Sequence, residues 1–158
     1  MSLTFRRAAP EDYETLKALV VDSFLPITWF CKVDRRFGPL NGLDCHARWE
    51  LRFGAVFASQ IVIVGEENGQ ALACATGTYD PATRLGYVDL LAVRNDMQGH
   101  GYGREMLRGM LAHFKALGAM HAHLDCLADN DVGNNLYRAE GFEEMARSVK
   151  WMIRIPES

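Results

Sequence analysis

Six residues, Gln98-Gly99-His100-Gly101-Tyr102-Gly103, constrain this chain more than any others. They follow an apolar run, Val88 to Val93, and precede an amphipathic run, Arg104 to Leu117. That order predicts a strand, a tight loop and a helix. Gly99, Gly101 and Gly103 let the backbone turn with positive φ and let a ligand approach without meeting a Cβ. The helix then opens with N–H groups that have no partner in the chain. Its dipole places roughly half a positive charge there. The expected ligand is an anion, phosphate first.

The spacing excludes two common phosphate loops. No Lys-Ser or Lys-Thr pair follows the glycines, as a P-loop requires. A dinucleotide fingerprint fails too, because its last glycine falls on Arg104 or on Met106. At 158 residues the chain suits one domain, residues 1–158, with one core. A net charge of −3 implies no general affinity for nucleic acid. No apolar run approaches the roughly 20 residues of a membrane span, and Met1 to Pro10 has no apolar centre of a secretory signal. Cys31, Cys45, Cys74 and Cys126 are widely spaced, in neither a zinc nor a disulfide pattern. Reduced thiols and a cytoplasmic location are expected, with Cys74 and Cys126 packed in strand-like runs.

The remaining elements follow from period and punctuation. Leu3 to Arg7 alternates as a first strand. Pro10 opens a helix with Tyr13, Leu16, Leu19 and Val20 as its buried stripe. Ser23 to Gly42 has no clean period and is rich in aromatics. It reads either as a wall for a substrate or partner or as a lid on the core. Asp44 caps a second helix reaching about Phe57. Ile61 to Val64 and Ala71 to Tyr79 form a hairpin about Asn68-Gly69, and Leu85 to Val93 is the next strand. After the loop, Met106, Leu107, Met110, Leu111, Phe114 and Leu117 line one helix face. Ala119 to Leu127 reads as a strand, Asn130 or Asp131 as the start of a helix to about Glu140, and Val149, Trp151, Ile153 and Ile155 as an alternating terminal strand. The fold class is α/β of the α+β kind, a mixed sheet with helices on both faces. Leu85 to Leu127 is its right-handed βαβ unit, with two parallel strands.

The Q-x-x-G-x-G pattern of Gln98 to Gly103 resembles the acetyl-CoA loop of the GNAT superfamily of N-acetyltransferases. A second stretch, Asn130 to Leu136-Tyr137 and Gly141-Phe142, is similar to that family's N-x-x-A-x-x-L-Y-x-x-x-G-F, with Gly133 in place of the usual Ala. The two together cover about Val88 to Phe142; Arg6 to Leu19 is loosely similar as well. The resemblance implies a mostly antiparallel sheet with a split between its two central parallel strands, and CoA in the split. The pantetheine arm would pair with backbone of Leu91, Ala92 and Val93, as an added strand does. The pyrophosphate would sit on the N–H groups of Gln98, Gly99, His100, Gly101, Tyr102, Gly103 and Arg104, and Asn130 would touch the pantetheine. Arg94, His100, Arg104 and Arg108 are available for the 3′-phosphate.

The implied reaction moves an acetyl group directly from the CoA sulfur to a primary amine, with no cysteine intermediate. Acetyl-CoA is the co-substrate. The acceptor is a small-molecule amine or a protein N-terminus, and the active form is a monomer or homodimer. An acceptor of pKa about 10.4 is neutral in only about one molecule in a few thousand at pH 7, so a base raises the supply of nucleophile. Asp125 stands where ribosomal-protein-alanine acetyltransferases of this superfamily carry a glutamate base. Asp89 lies on the other strand of the split, sharing a face with Tyr87, Leu91 and Val93 by period two. Backbone N–H groups near Leu91 to Val93 would hold the oxyanion. Tyr137, by type and by family position, would protonate the leaving thiolate. His121, His123 and Asp125 alternate as metal ligands do, but the resemblance implies no metal there. A non-catalytic acyl-CoA sensor or partner module is the alternative.

Overall fold

The computed structural model describes residues 2–157. Backbone contacts divide it into two compact units, one ending at Asp125 and one beginning at Cys126. The first unit is a five-stranded sheet in the order β1-β2-β3-β4-β5. β1 (Thr4–Arg7), β2 (Ile61–Glu67), β3 (Gln70–Asp80) and β4 (Leu85–Val93) pair antiparallel in sequence order. β5 (His121–Leu124) pairs parallel to β4. Short turns join β2 to β3 and β3 to β4, because Asn68-Gly69 and the Asp80 side chain each close a tight bend, whereas the helices of residues 8–60 separate β1 from β2. Asp80 accepts from Ala82 N and Thr83 Oγ1 at 2.9 and 2.8 Å. The parallel pair instead needs a crossover, supplied by the helix between β4 and β5.

Helices cover both sheet faces. Pro10–Asp12 forms a single 3₁₀ turn that leads into α1 (Tyr13–Phe24). α3 (Cys45–Ser59) is capped by the Asp44 side chain, which accepts from Ala47 N at 2.8 Å. Leu16, Val20, Trp49 and Phe53 from α1 and α3 bury against Val62, Val64, Cys74, Leu90 and Ala92 of the sheet. Each fully buried side chain of this size contributes about 1.5–3 kcal/mol. On the other face α4 (Tyr102–Leu117) presents Met106, Met110 and Phe114 to the glycines of β2, β3 and β4.

The irregular stretch Ser23 to Gly42 is largely helical. A 3₁₀ turn, Leu25–Ile27, precedes α2 (Trp29–Phe37), whose first turn is capped by Thr28. Thr28 also accepts from Trp49 Nε1 at 2.8 Å. Phe24 stacks on the Trp49 ring at 4.9 Å, and the Phe30 ring lies tilted to it at 5.2 Å. The aromatics that blurred the periodicity are therefore a packed cluster over α3.

The second unit holds α5 (Asp131–Ala139). Residues 142–157 form no strand, against the expectation from Val149, Trp151, Ile153 and Ile155. Alternation selects a face, but a strand also requires a neighbour's backbone groups, and a sequence does not name that neighbour. β5 likewise ends at Leu124 rather than Leu127. Cys126 is thus half-buried outside any strand, while Cys74 is fully buried as expected.

Candidate functional site

The site begins with a fault in the β3–β4 ladder. Thr76 lies opposite Leu90, yet Gly77 lies opposite Val88, so Asp89 is one residue too many on β4. This is a β-bulge, a device that bends a strand and re-aims its side chains. Two residues of β3 make it possible. The buried Thr76 hydroxyl accepts from Leu90 N at 3.2 Å. Gly77 allows the strands to close up, since a Cβ there would sit 2.0 Å from the Tyr87 carbonyl oxygen. Neither residue was visible as functional in the sequence, because a bulge depends on the partner's register.

The bulge overturns one expectation from period two. Asp89 does not share a face with Leu91 and Val93. It points to the α3 side, as do Leu90 and Ala92, which join the cluster of Trp49 and Phe53. Arg52 Nη2 donates to Asp89 Oδ1 and Gln60 Nε2 donates to Asp89 Oδ2, each at 2.8 Å. The Asp89 side chain is 8% exposed. Both oxygens of this carboxylate are committed to tying α3 to β4.

Beyond the bulge β4 loses its parallel neighbour. The β4–β5 ladder runs from Leu85↔His121 to Val88↔Leu124 and stops, while the β3–β4 ladder continues to Ala73↔Val93. From Asp89 to Val93, β4 therefore has no strand on its β5 side among the described residues. This parting is the split expected from the sequence, and its wall carries Leu91, Ala92 and Val93. An extended ligand with amide groups can pair along such an edge.

Asp125 follows β5 on the far side of the parting. Tyr87 Oη donates to Asp125 Oδ2 at 3.3 Å, and the Tyr87 ring lies 4.8 Å from that of His123, its ladder partner. Burial first, then Asp89 and Asp125, push the Tyr87 phenol up to about 12. Among the described residues, no group of three His, Cys, Asp or Glu side chains is placed to hold a metal ion.

The glycine loop leads from β4 to α4. A 3₁₀ turn at Asn95–Met97 intervenes, and Gln98 Nε2 donates back to the Val93 carbonyl at 3.2 Å and to Asn95 Oδ1 at 3.1 Å. Gly99 and Gly101 have φ of 83° and 86°, the left-handed region where glycine is favoured. Gly103 does not; it sits inside the first turn of α4, so two of the three glycines make the bend. Gly101 is the N-cap of α4 and brings no side chain of its own to cap it. Its first N–H groups, on Tyr102, Gly103 and Arg104, face the loop with the positive end of a 16-residue helix behind them. The Tyr102 side chain turns away from the loop. It is buried, and its hydroxyl donates to Glu67 Oε2 at 2.7 Å. Arg94 pairs with Asp96 at 2.6 Å.

Asn130 and Tyr137 belong to the second unit, and its local geometry explains their spacing. Asn130 Oδ1 caps α5 by accepting from Gly133 N at 3.1 Å. A Cβ at residue 133 would stand 2.9 Å from Asn130 Nδ2 and 3.0 Å from Cys126 Sγ, so glycine suits this folded cap better than the usual alanine. At the other end Phe142 N donates to the Tyr137 carbonyl at 2.9 Å, with Gly141 left-handed at φ 93°. The Phe142 ring packs edge-on to Tyr137 at 5.9 Å. The stretch Tyr137 to Phe142 is thus a helix-terminating cap. Burial, with Cys126 nearby, pushes the Tyr137 phenol up to about 12.

Solved structures share this fold across nearly the whole chain. YycN from Bacillus subtilis is 11% identical, with a TM-score of 0.71 and coverage of 98% of this chain and 100% of that one. The ribosomal-protein-S18-alanine N-acetyltransferase from Escherichia coli is 18% identical, with a TM-score of 0.67 over 91% and 79% of the two chains. The aminoglycoside N-acetyltransferase AAC(6')-Iy, solved in complex with CoA, is 13% identical, with a TM-score of 0.64 over 97% and 95%. At such identities the likeness is one of fold. No protein of curated function matches the chain by sequence. Residues 27–142, well over half the chain, match the Acetyltransferase (GNAT) family, and the protein is a member of that family.

Proposed function

We propose that this protein is an acetyl-CoA-dependent N-acetyltransferase that moves the acetyl group directly to a primary amine of a small molecule or a protein. The carrying observation is the parting of β4 and β5 after Val88, beside a long helix that opens on a glycine N-cap. In this reading the diphosphate of CoA lies on the N–H groups of Gln98 to Arg104. The pantetheine arm pairs with Leu91, Ala92 and Val93, and Asn130 contacts it. This arrangement aims the thioester at the bulge.

Asp125 is the base in this proposal, acting through water. Asp89 was the other candidate, but Arg52 and Gln60 occupy both of its oxygens. Asp89 instead fixes the bulge, and with it the backbone N–H groups that meet the oxyanion. Tyr137 donates the proton that the thiolate takes up. A phenol near 12 keeps its proton throughout the neutral range, so the acid is always loaded. The whole chain acts as one catalytic domain, as a monomer or homodimer, in the cytoplasm. No helix among the described residues is long and apolar enough to cross a membrane.

The experiment is thiol release from acetyl-CoA against a panel of polyamines, aminoglycosides, amino acids and peptide N-termini, with mass detection of the acetylated product. Release that depends on one class of amine is the expected result. Tight acetyl-CoA binding with no amine-dependent release across the panel contradicts the enzyme and leaves a sensor.

A further inference from the structure

Two cysteines that the sequence scatters are brought together. Cys31 Sγ, on the first turn of α2, lies 2.7 Å from Cys45 Sγ, on the first residue of α3. A disulfide bond is about 2.03–2.05 Å long, so the sulfurs are within a small side-chain movement of bonding. Both residues are half-buried, which leaves them open to small reagents, while Cys74 is fully buried.

The contact is held from outside the cysteines. Asp34 Oδ2 accepts from Cys45 N at 2.6 Å, and its Oδ1 takes Arg48 Nη1 at 2.7 Å. Arg48 also donates to the carbonyls of Leu43 and Phe30, at 2.7 and 3.0 Å. Its guanidinium lies over the Phe30 ring at 5.4 Å. This clamp joins the starts of α2 and α3 whether or not the sulfurs bond. The 14-residue separation closes a ring around the 38–44 turn, where Gly38, Asn41 and Gly42 all have positive φ.

We infer that Cys31 and Cys45 form a reversible intrachain disulfide when the protein meets a low-molecular-weight disulfide such as oxidised glutathione. The Cys31 thiolate attacks one glutathione sulfur, forming a mixed disulfide and expelling one glutathione thiolate. Cys45 then loses its proton to solvent, and its sulfur attacks Cys31 Sγ and expels the second. Two protein thiols are oxidised, two electrons pass to one glutathione disulfide, and two glutathione thiols leave. Burial, and then Cys31, raise the Cys45 thiol above its ordinary range, and the balance is the same whichever of the two half-buried sulfurs enters first. The bridge fastens α2 to the helix that carries Arg52, the partner of Asp89, so oxidation stiffens the region packed beside the bulge. This inference does not rest on the acetyltransferase reading.

The test treats the full chain with oxidised glutathione, then alkylates it without reduction. The expected product is about 2 Da lighter before alkylation, takes up label at Cys74 and Cys126 alone after denaturation, and yields one peptide pair joining Cys31 to Cys45. Its Tm rises by several degrees and falls back with dithiothreitol. C31S and C45S each abolish the mass loss and leave a single glutathione adduct on the surviving thiol, with unchanged circular dichroism. The inference is overturned by four labelled cysteines after oxidation, by stable adducts on both thiols of the wild-type chain, or by a bridge to Cys74, Cys126 or a second molecule.

Discussion

Removing the Asp89 carboxylate and removing the Asp125 carboxylate have opposite consequences. Asp89→Ala deletes two charge-assisted hydrogen bonds of 2.8 Å from a side chain that is 8% exposed. Breaking a fully buried pair costs about 3–5 kcal/mol. Arg52 is 35% exposed and regains water when its partner goes, so the loss falls to about 2–3 kcal/mol. For a chain of this size that lowers Tm by roughly 5–10 °C. Asp89→Asn is milder. Gln60 Oε1 is buried without a partner, and an amide flip lets it accept from the new asparagine. Asp125→Asn at most weakens one long contact of 3.3 Å, since the amide oxygen can still accept from Tyr87, and leaves Tm within a degree or two. Its turnover falls about 10²–10⁴-fold, the range for a general base. Urea unfolding and thermal melts measure the first quantity, and thiol release at saturating acetyl-CoA measures the second. A stable but inactive D89N beside a fully active D125N would refute the division of labour between the two carboxylates.

Further outcomes follow from the same geometry. Tyr137→Phe lowers turnover with little change in acetyl-CoA affinity, and, because the phenol stands near 12, wild-type activity shows no loss from Tyr137 ionisation below about pH 11; an unchanged rate across pH in the variant removes the acid role. Gly77→Ala forces a Cβ to within 2.0 Å of the Tyr87 carbonyl, so it destabilises by about 3 kcal/mol or more and weakens acetyl-CoA binding through the displaced bulge, as calorimetry checks. Asp12 is held below its ordinary pKa by hydrogen bonds from Arg6, with the Ala9 amide adding to the effect. Its contribution to stability is therefore present above about pH 4, near the unfolded value, and is lost as pH falls through the depressed folded value. Urea titrations from pH 5 to 2 show a shallower fall for Asp12→Asn than for the wild type.

The elements that carry chemistry were legible where one local rule decides them. The glycine loop, α4, the Asn68-Gly69 hairpin and the Asn130 cap are all set by residues a few positions apart, and each stands where its sequence places it. What stayed hidden depends on residues far apart in the chain. The bulge that turns Asp89 toward α3 needs Thr76 and Gly77, and its anchors need Arg52 and Gln60. The Cys31–Cys45 contact needs α2, which the aromatics of Ser23 to Gly42 disguised, since those rings answer to Trp49 rather than to a helical period. The terminal alternation at Val149 to Ile155 shows the converse limit, a strand pattern with no ladder partner among the described residues. Gly103 was expected to bend the loop and instead continues the helix, because Gly99 and Gly101 already complete the turn.

Isothermal titration of the folded full chain with acetyl-CoA, repeated on Gly101→Val, tests the central claim most directly. Gly101 has φ of 86° at the head of α4, and a β-branched residue resists that conformation. The account predicts saturable one-site binding that is at least tenfold weaker in the variant, with dephospho-CoA losing much less than pantetheine lacking the diphosphate. A heat-silent titration of the wild type, or equal affinity for acetyl-CoA and the pantetheine fragment, would contradict it.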